Sequence, residues 1–433
     1  MGFPPDRIGG TEVYVAELSG ELAALGIGST ILAPESEDGR QISGHLGFPV
    51  ETYPVNAVAT AEEMRGNRPH SQFEAFRAIL ARHPGAIYHQ HSWTRGCGGH
   101  HLHAAHELGL PTVLTMHVPG NLCIRGDMVR FGGNGCDGLI QPRTCAACWS
   151  HAKGAPRPIA HALANIPAPL SRAARRGGGR LATAFSARAL AEDKRLAAHR
   201  MTQDSDHIVA VAGWVHDALL ANGAPALKTT LSRQGVSRQF LKDVATLASP
   251  RPTGDTLKLL YLGSWNPLKG VDVLVRALIS LPPDVPVRLG IQAPAGSGAS
   301  DQAYEQHVRK IASDDDRVVF HGPVDRASLA ATMSRYDVLA VPSVWMETGP
   351  LVVMEAQAAG LFVLGSRLGG IAENVSEDAG LLVEPGDVAA WAGALRVLSE
   401  RRRKGSLTRD SRAVRSMASV AEEMAAIYRR LAG

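Results

Sequence analysis

Two glutamates near the C-terminal end of the chain are spaced so that both could contact one ligand. Glu347 and Glu355 stand eight positions apart in WMETGPLVVMEA, residues 345–356. The pattern predicts a strand before this segment and a helix within it, with Glu347 in the connecting loop and Glu355 in the helix. Eight helical residues span at most about 12 Å. That length fits a ligand with hydroxyl groups at both ends, such as a ribose and a sugar, and a diphosphate between them.

The start of the predicted helix is typical of an anion site. Pro350 is compatible with the first helical turn, which would make Thr348 or Gly349 the N-cap. The backbone N–H groups of residues 349–352 would then lie next to a phosphate, favoured by the helix dipole. Two glutamates at this spacing, taken alone, are more typical of an acid near a helix start and a partly exposed helix residue. The rest of the sequence changes that balance.

Short apolar runs alternate with amphipathic patterns along the whole chain. The strand-like runs are STILAP (29–34), AIYHQH (86–91), TVLTMH (112–117), KLLYLG (258–263), VRLGIQ (287–292), VVFHG (318–322), DVLAVPS (337–343) and LFVLGS (361–366). Helical patterns cover 12–26, 71–83, 271–281 and 328–336. This alternation predicts an α/β fold with doubly wound parallel sheets. The sheets form two blocks, one before about residue 235 and one after about 255, joined by LASPRPTGD (247–255).

Six segments, in this order, resemble the retaining GT-B glycosyltransferases with an E-x7-E motif, a family 4-like group that includes bacterial polysaccharide enzymes. The segments are GGTEVYVAELSGELAALG (9–26), TVLTMH (112–117), YLGSWNPLKGVDVLVRAL (261–278), FHGPV (320–324), PSVWMETGPLVVMEAQAAG (342–360) and LGGIAENVSEDAGLLVEPGD (368–387). The resemblance implies a GT-B fold, with two Rossmann-like domains facing a cleft. It places an acceptor domain at 1–240, a donor domain at 255–413, and a final helix, 414–433, that packs back on the first domain.

The resemblance also implies roles for individual residues. Glu355 would bind the ribose, Glu347 would contact the donor sugar, Lys269 would hold the diphosphate, and His117 would lie beside the sugar. Glu347, His117 and Lys269 form the expected catalytic group. The other expected donor-binding positions are Gly9, Gly10, Ser264, Gly322, Val324, Thr348, Gly349, Pro350, Leu351 and Gly370. Catalysis would need no metal or other cofactor, and the acceptor would be a hydroxyl of a glycan, a lipid-linked sugar or a small molecule.

One position departs from the family pattern. Ser264 stands where the family usually has an arginine that shares the diphosphate charge with Lys269. Arg367 is a candidate to replace that charge. The first glycine loop also begins at the third residue, without the strand that normally opens such a domain. Two alternatives therefore stay open, namely a sugar phosphorylase-like relative and a catalytically silent protein that binds nucleotides or carbohydrates.

Composition sets further limits on the function. The chain has 433 residues and a formal net charge of +4, an excess too small to indicate nucleic-acid binding. No run of eighteen apolar residues and no signal-peptide pattern is present, so we expect a cytoplasmic protein. Ten basic residues fall between 151 and 200, opposed there only by Glu192 and Asp193. A solvated basic face accounts for them, and the alternative is peripheral contact with an anionic lipid or a phosphorylated acceptor.

Four of the five cysteines lie within 26 residues of an apparently irregular insert at about 118–203. Their pattern is Cys123-x12-Cys136-x8-Cys145-x2-Cys148. Four thiols ending in CxxC predict a structural zinc site, with an iron–sulfur cluster or free thiols as alternatives. Among the many nearby histidines, His89 and His91 end a predicted strand. We interpret them as ordinary cleft or surface histidines rather than metal ligands.

Overall fold

The computed structural model describes residues 9–36, 48–56, 58–64, 66, 68–133, 135–247, 254–296, 298–407 and 412–433. The chain divides into two compact units, one formed by Met1–Arg233 with Ala418–Gly433 and the other by Gln234–Met417. The boundaries expected from the sequence lie near 240, 255 and 413. Most of the proposed connection at 247–255, and the loop before Gly9 with its missing strand, lie outside the described residues.

The first unit contains two parallel sheets. A two-stranded sheet pairs β1 (Ile31–Ser36) with β2 (Val50–Val55), and a four-stranded sheet has the order β3 (Tyr88–Gln90), β4 (Thr112–Met116), β5 (His207–Ala210) and β6 (Thr229–Leu231). All residues of β4 and β5 are buried, as expected for parallel strands covered on both faces. The carboxyl end of β4 therefore carries His117 on a rigid support.

Within the described residues of the first unit, ten α-helices accompany these sheets in chain order. They are α1 (Gly10–Ala24), α2 (Ala61–Met64), α3 (Phe73–Ala81), α4 (Gly99–Glu107), α5 (Pro142–Ala152), α6 (Arg157–Ala164), α7 (Ala168–Ala174), α8 (Gly179–Phe185), α9 (Ala187–Gln203) and α10 (Gly213–Ala221). The expectation of an irregular insert is wrong, because α5 to α9 fill most of it. Alanine explains the difference: it is the strongest helix former, and buried alanines such as Ala147, Ala164 and Ala191 form the core between these helices.

The second unit is built on one six-stranded parallel sheet. Its strands are β7 (Leu257–Leu262), β8 (Val287–Gln292), β9 (Val318–His321), β10 (Val338–Val341), β11 (Phe362–Ser366) and β12 (Gly380–Val383). Their spatial order is β12-β11-β10-β7-β8-β9, so the direction of winding reverses between β7 and β10. In open parallel sheets, ligands bind beyond the carboxyl ends of the strands at such a reversal.

In the parts of the second unit that the structure describes, seven α-helices cover both faces of this sheet. They are α11 (Arg238–Thr246), α12 (Val271–Ile279), α13 (Ala299–Ile311), α14 (Leu329–Met333), α15 (Leu351–Ala358), α16 (Gly369–Asn374) and α17 (Val388–Arg403). Alternation along β7 separates two cores: Leu257 and Leu259 join the core with α12 and α17, whereas Leu260 joins the core with α14 and α15. These parallel sheets with flanking helices confirm the predicted α/β fold class.

The last helix, α18 (Met417–Leu431), returns to the first unit. Tyr428 Oη forms a hydrogen bond with His89 Nδ1, and Arg430 Nη2 lies 2.9 Å from His207 Nδ1. Both contacts reach the four-stranded sheet, at His89 in the middle of β3 and at His207, the first residue of β5. Among the described residues, no helix combines the length and the apolar character that a membrane crossing requires.

Candidate functional site

The carboxylate of Glu347 lies at the centre of a polar cluster at the strand reversal. Its Oε1 accepts hydrogen bonds from Lys269 Nζ at 2.7 Å, Ser343 Oγ at 2.8 Å and Trp345 Nε1 at 2.9 Å. Lys269 follows β7, and the other three residues follow β10. Glu347 is only 6% exposed, so the ammonium group and the two neutral donors replace the water that a buried carboxylate loses.

Close backbone packing holds Lys269 in place. Gly270 has a φ of +64°, and a Cβ there would lie 2.1 Å from the carbonyl oxygen of Pro342. Only glycine therefore lets the loop after β7 approach the loop after β10 this closely. The ammonium of Lys269 also lies 5.4 Å from the ring centre of Trp345. Its side chain remains partly exposed and can still donate to an anion.

A second glycine contact fixes the turn that carries Glu347. Gly370 N–H donates to the carbonyl oxygen of Glu347 at 2.7 Å, and a Cβ at Gly370 would lie 2.3 Å from the nitrogen of Gly349. Gly349 and Gly369 have φ values of +101° and +52°. The start of α16 therefore packs against the turn backbone on backbone, which orients the Glu347 carboxylate.

The helix after this turn begins slightly later than the sequence predicts. Pro350 has an extended ψ of 126° and is the N-cap, and Leu351 is the first helical residue. The expected placement of Pro350 in the first turn, with Thr348 or Gly349 as the N-cap, is wrong by one or two positions. The first N–H groups of α15 still have no partner within the helix, and they follow the turn that carries Glu347.

Glu355 is a buried member of an ion pair. It is 3% exposed and pairs through Oε1 with Nη1 of Arg326. Burial raises the pKa of the Glu355 carboxyl, and Arg326 opposes that rise. Arg326 begins a short 3₁₀ turn just beyond the loop with Gly322 and Val324. Sequence reasoning missed Arg326, although FHGPVDR places a basic residue directly after the expected base-contacting loop.

The position without the family arginine is open to solvent. Ser264 is exposed, and its carbonyl oxygen accepts a hydrogen bond from Tyr261 Oη at 3.0 Å. Arg367, the candidate replacement, pairs with Glu384 at 3.4 Å and donates to the carbonyl oxygen of Leu382 at 3.1 Å. Its guanidinium therefore has partners at the far edge of the sheet, where β12 lies.

In the first unit, His117 belongs to a cluster of rings beyond β3 and β4. Its Nε2 lies 3.2 Å from Nδ1 of His91, and the edge of Tyr14 packs against it. Burial lowers the pKa of His117 to about 3, so the ring is neutral at ordinary pH. His89 stacks 3.9 Å from His91 and binds Thr115 Oγ1 at 2.7 Å. His89 and His91 are thus packed around His117 rather than spread over the surface.

The first glycine pair lies at the start of α1. Gly9 is the N-cap, and its N–H donates to Glu12 Oε2 at 3.1 Å. A Cβ at Gly9 would lie 2.6 Å from that oxygen, whereas Gly10 has no neighbour within 4 Å of such an atom. The Gly9 N–H is thus already hydrogen-bonded to the Glu12 carboxylate, and Gly10 is exposed.

The cysteines of the insert all carry free thiols. Cys145 and Cys148 lie in the first two turns of α5, and Cys148 Sγ accepts from Phe131 N–H at 3.2 Å. Burial raises the pKa of Cys145 to about 11, and the nearby thiols of Cys123, Cys136 and Cys148 contribute to the rise. As the side chains stand, the described part of the chain contains no group of three or more His, Cys, Asp or Glu residues that could hold a metal ion.

Comparison with protein families gives two matches that together cover most of the chain. Residues 8–240 match Glycosyltransferase Family 4, which is more than half of the chain. Residues 256–401 match the family described as glycosyl transferases group 1. Each of the two compact units therefore corresponds to its own family model.

Individual relatives agree with these matches. The D-inositol 3-phosphate glycosyltransferase of Arthrobacter sp. (strain FB24) is 28% identical over 418 residues, which cover 90% of this chain and 82% of that protein. Sucrose-phosphate synthase from Thermosynechococcus elongatus has a TM-score of 0.61 at 20% identity, covering 98% of this chain and 94% of that one. Anabaena HepE, solved with UDP and glucose, has a TM-score of 0.60 at 14% identity, covering 98% and 96%. These two likenesses show the GT-B fold.

Proposed function

The chain belongs to Glycosyltransferase Family 4 and is a glycosyltransferase, and from that premise we propose that it moves a sugar from a nucleoside-diphosphate sugar to a hydroxyl acceptor with retention of configuration. The observation that carries the proposal is the contact between Lys269 and Glu347. It joins the loops after β7 and β10, at the strand reversal where this kind of sheet binds ligands. Two of the expected donor-binding residues, Lys269 and Glu347, thus lie in contact beyond the carboxyl ends of β7 and β10, which supports the proposal.

The diphosphate would lie between Lys269 and the start of α15. Lys269 supplies a positive charge that one carboxylate holds in place. The N–H groups of Leu351 and Val352, which have no partner within the helix, add the positive end of the helix dipole. Charge develops on the diphosphate as its bond to the sugar breaks. Preorganised donors stabilise that charge without reorganising during the reaction. These groups account for departure of the leaving group without a resident metal ion.

The nucleoside would lie along the far part of α15. Glu355 would accept hydrogen bonds from the ribose hydroxyls through its second oxygen, because Arg326 occupies the first. Arg326 would also bring a positive charge to the loop with Gly322 and Val324, where the base is expected. A buried carboxylate without enough hydrogen-bond donors lowers the stability of a folded protein. The ribose hydroxyls would supply such donors to Glu355.

The chemical step would take place on one face of the sugar. The acceptor oxygen attacks the anomeric carbon while the carbon–oxygen bond to the diphosphate breaks, and the acceptor proton passes to an oxygen of the departing phosphate. Glu347 orients the donor sugar and does not form a covalent intermediate. His117, held neutral by burial, would be a hydrogen-bonding partner for the substrate rather than a charged one. Positioning and charge stabilisation would supply the rate enhancement.

The names of the relatives suggest the first substrates to test. HepE was solved with UDP and glucose, and the first relative acts, by its name, on D-inositol 3-phosphate. We therefore choose UDP-glucose as the first donor, and myo-inositol 3-phosphate and simple glycans as acceptors. The structure explains a diphosphate-linked donor better than it explains any particular base.

Calorimetry tests the proposed donor site directly. UDP, GDP, ADP and dTDP are titrated into wild type, Glu355→Ala and the control Glu384→Ala, which removes an exposed carboxylate at the edge of the sheet. We expect one nucleotide to bind wild type and the control equally, and Glu355→Ala at least about tenfold more weakly. If no nucleotide binds wild type, or if both variants bind as wild type does, the proposed site is wrong.

We also propose that the four cysteines of the insert bind a structural zinc ion. The support is their spacing and the mutual effect of their thiols on the pKa of Cys145. The thiols would have to turn towards one another and lose their protons on binding. Metal analysis of the purified protein should find one zinc per chain, lost in Cys145→Ser and kept in Cys97→Ser. Iron in place of zinc would indicate a cluster, and four titratable thiols without metal would contradict the proposal.

Peripheral membrane contact is a further part of the proposed function. Large apolar side chains are exposed on α6 to α8, at Ile159, Leu170, Leu181 and Phe185. They alternate with the basic residues of the same helices, a combination that favours the surface of an anionic bilayer. Wild type should sediment with vesicles that contain phosphatidylglycerol but not with pure phosphatidylcholine, and Leu181→Asp should weaken sedimentation. Equal behaviour with both lipids would contradict membrane contact.

A further inference from the structure

The insert contains an open cavity that the donor site does not use. Its volume is about 590 Å³, and its lining residues are Arg130, Phe131, Gly133, Gly135, Arg157 and His161. Two of these side chains are permanently cationic, one is an imidazole and one is an aromatic ring. All belong to the first unit and precede the donor residues of the second unit.

The side chains of Arg157 and His161 approach the aromatic ring of Phe131. Arg157 and His161 stand one turn apart on α6, so they project from the same face of the helix. The guanidinium of Arg157 lies 5.5 Å from the ring centre of Phe131, and the His161 ring lies 5.7 Å from it. Arg130 joins from the other wall and pairs with Asp137 at 3.3 Å.

The charge in the cavity is only partly compensated. Asp137 is the carboxylate that neutralises Arg130, and both side chains of that pair are about half exposed. In the described part of the chain, Arg157 has no carboxylate within 4 Å. A stacked guanidinium keeps its N–H groups in a fixed plane that matches two oxygens of a phosphate.

An unusual backbone conformation places Phe131 in the cavity. Its φ is +52°, a value that costs energy for a side chain of this size, and the nearby Met128 has a φ of +55°. The N–H of Phe131 is held by Cys148 Sγ at 3.2 Å. Gly133 and Gly135 leave backbone as the opposite wall. The strained loop thus presents the ring of Phe131 to the cavity, while the N–H groups of Phe131 and Gly133 are bound within the insert.

We propose that this cavity binds the phosphate of a phosphate ester, with Arg157 and Arg130 as its partners and the ring of Phe131 beneath the attached carbon skeleton. The ester is borne either by a soluble phosphorylated acceptor or by a lipid headgroup. The binding site itself is independent of the donor residues, and only its use for an acceptor rests on the proposed transfer activity. Arg157 is the specificity-determining side chain, because none of the described carboxylates lies within 4 Å of its guanidinium.

Calorimetry with soluble probes is the first arm of the test. Myo-inositol 3-phosphate, inorganic phosphate and unphosphorylated myo-inositol are titrated into wild type, Arg157→Ala and Arg180→Ala, the last of which removes an exposed arginine of the same insert outside the cavity. If the ester is soluble, Arg157→Ala should bind myo-inositol 3-phosphate at least tenfold more weakly than wild type and Arg180→Ala do. Unphosphorylated myo-inositol should not bind detectably.

The second arm uses phosphatidylcholine vesicles with and without phosphatidylinositol phosphate. If the ester is a headgroup, Arg157→Ala should lose at least tenfold in affinity for the phosphorylated vesicles and nothing for the others. Arg157 is exposed, so its replacement should leave the fold intact, and UDP binding should be unchanged in every variant. The proposal is overturned if Arg157→Ala matches wild type in both arms. If none of UDP, GDP, ADP and dTDP binds wild type, that result would instead count against the donor site alone.

Discussion

At the scale of the residue, hydrogen bonds hold the Glu347 carboxylate in one orientation. Three donors converge on a single oxygen, and one of them, Lys269, carries the charge expected to face the diphosphate. A carboxylate so fully hydrogen-bonded on one oxygen has little freedom to attack the sugar. In the proposed mechanism, Glu347 would therefore orient the donor sugar, while Lys269 would bind the diphosphate.

We predict that Glu347→Gln lowers the transfer rate much more than it weakens donor binding. The amide keeps the shape of the side chain, but it removes the charge that positions Lys269 and can turn its NH₂ towards two donors. We expect a loss of about 10²-fold or more in kcat, similar to removal of one preorganised charge-stabilising group elsewhere. Steady-state kinetics with UDP-glucose would measure it, with Glu384→Gln as a control at wild-type rate. A normal kcat in Glu347→Gln would contradict the role.

The second glutamate leads to a prediction about stability and pH. Burial raises the pKa of the Glu355 carboxyl, so the folded protein favours its protonated form more than the unfolded protein does. As pH rises from the unfolded pKa to the folded pKa, the free energy of unfolding therefore decreases. Glu355→Gln removes this cost. Its melting temperature relative to wild type should therefore increase from pH 4 to pH 7, while nucleotide binding is lost. Differential scanning calorimetry over that range measures the trend, and a flat or opposite trend would mean that Arg326 compensates the charge fully.

At the scale of the elements, the proposed donor site depends on direct backbone contacts. They join the loop after β7 to the loop after β10, and that second loop to the start of α16. We predict that Gly370→Ala, whose new Cβ would lie 2.3 Å from the nitrogen of Gly349, displaces the turn that carries Glu347. The expected cost is about 2 kcal/mol or more in unfolding free energy, with loss of nucleotide binding. Gly393→Ala, in the middle of α17 with free space around it, should instead stabilise by about 0.5–1 kcal/mol. Chemical denaturation measures both, and equal effects would refute the packing argument.

The elements also show what local sequence can and cannot predict. VRLGIQ at 287–292 is predicted to the residue, because its apolar run is bounded by prolines. The sequence pattern does not predict four strands, β2, β5, β6 and β12, whose pairing partners are distant in the chain. The hydropathy pattern does not predict the helices of the insert, because alanine is nearly neutral on a hydropathy scale. Buried alanines nevertheless form the core between these helices.

The same distinction applies to the site. Glu347, Lys269 and Glu355 could be predicted, because motif order and spacing carry them. Ser343, Trp345 and Arg326 could not, because a hydrogen bond to a carboxylate depends on the rotamer and on which strands become neighbours. The meeting of the β7 and β10 loops follows from a reversal in strand order, and no local pattern encodes that order.

At the scale of the whole molecule, the buried histidines are concentrated in the first unit. Burial lowers the pKa of His101 and His117 to about 3 and that of His207 to about 4. The pKa is also lowered for His70, His89, His91 and His100. In each case the unfolded ring binds a proton more readily than the folded one. Above about pH 6.5 the rings are neutral in both states, and the buried histidines cost no stability. As pH falls from about 6.5 towards the folded pKa values, the free energy of unfolding decreases.

We predict from this distribution that mild acid loosens the first unit before the second. Each proton that only the unfolded state binds lowers the free energy of unfolding by about 1.4 kcal/mol per pH unit. In the second unit, Asp315 and Asp378 have lowered carboxyl pKa values, and these reduce stability only below about pH 4. Hydrogen exchange at pH 7 and pH 5, corrected for intrinsic rates, should show a larger loss of protection in β4 and β5 than in β10 and β11. Equal losses, or a larger loss in β10 and β11, would contradict the prediction.

A single variant can assign that effect to buried imidazoles rather than to net charge. His70 is 2% exposed, stacks 5.4 Å from His101, and has no hydrogen-bond partner for either ring nitrogen among the described residues. Replacing it by phenylalanine keeps an aromatic ring beside Tyr53 and Phe73 and removes one unpaired polar group. His70→Phe should raise the melting temperature, more at pH 5 than at pH 7. If the gain is the same at both pH values, protonation of buried histidines does not drive the acid sensitivity of the first unit.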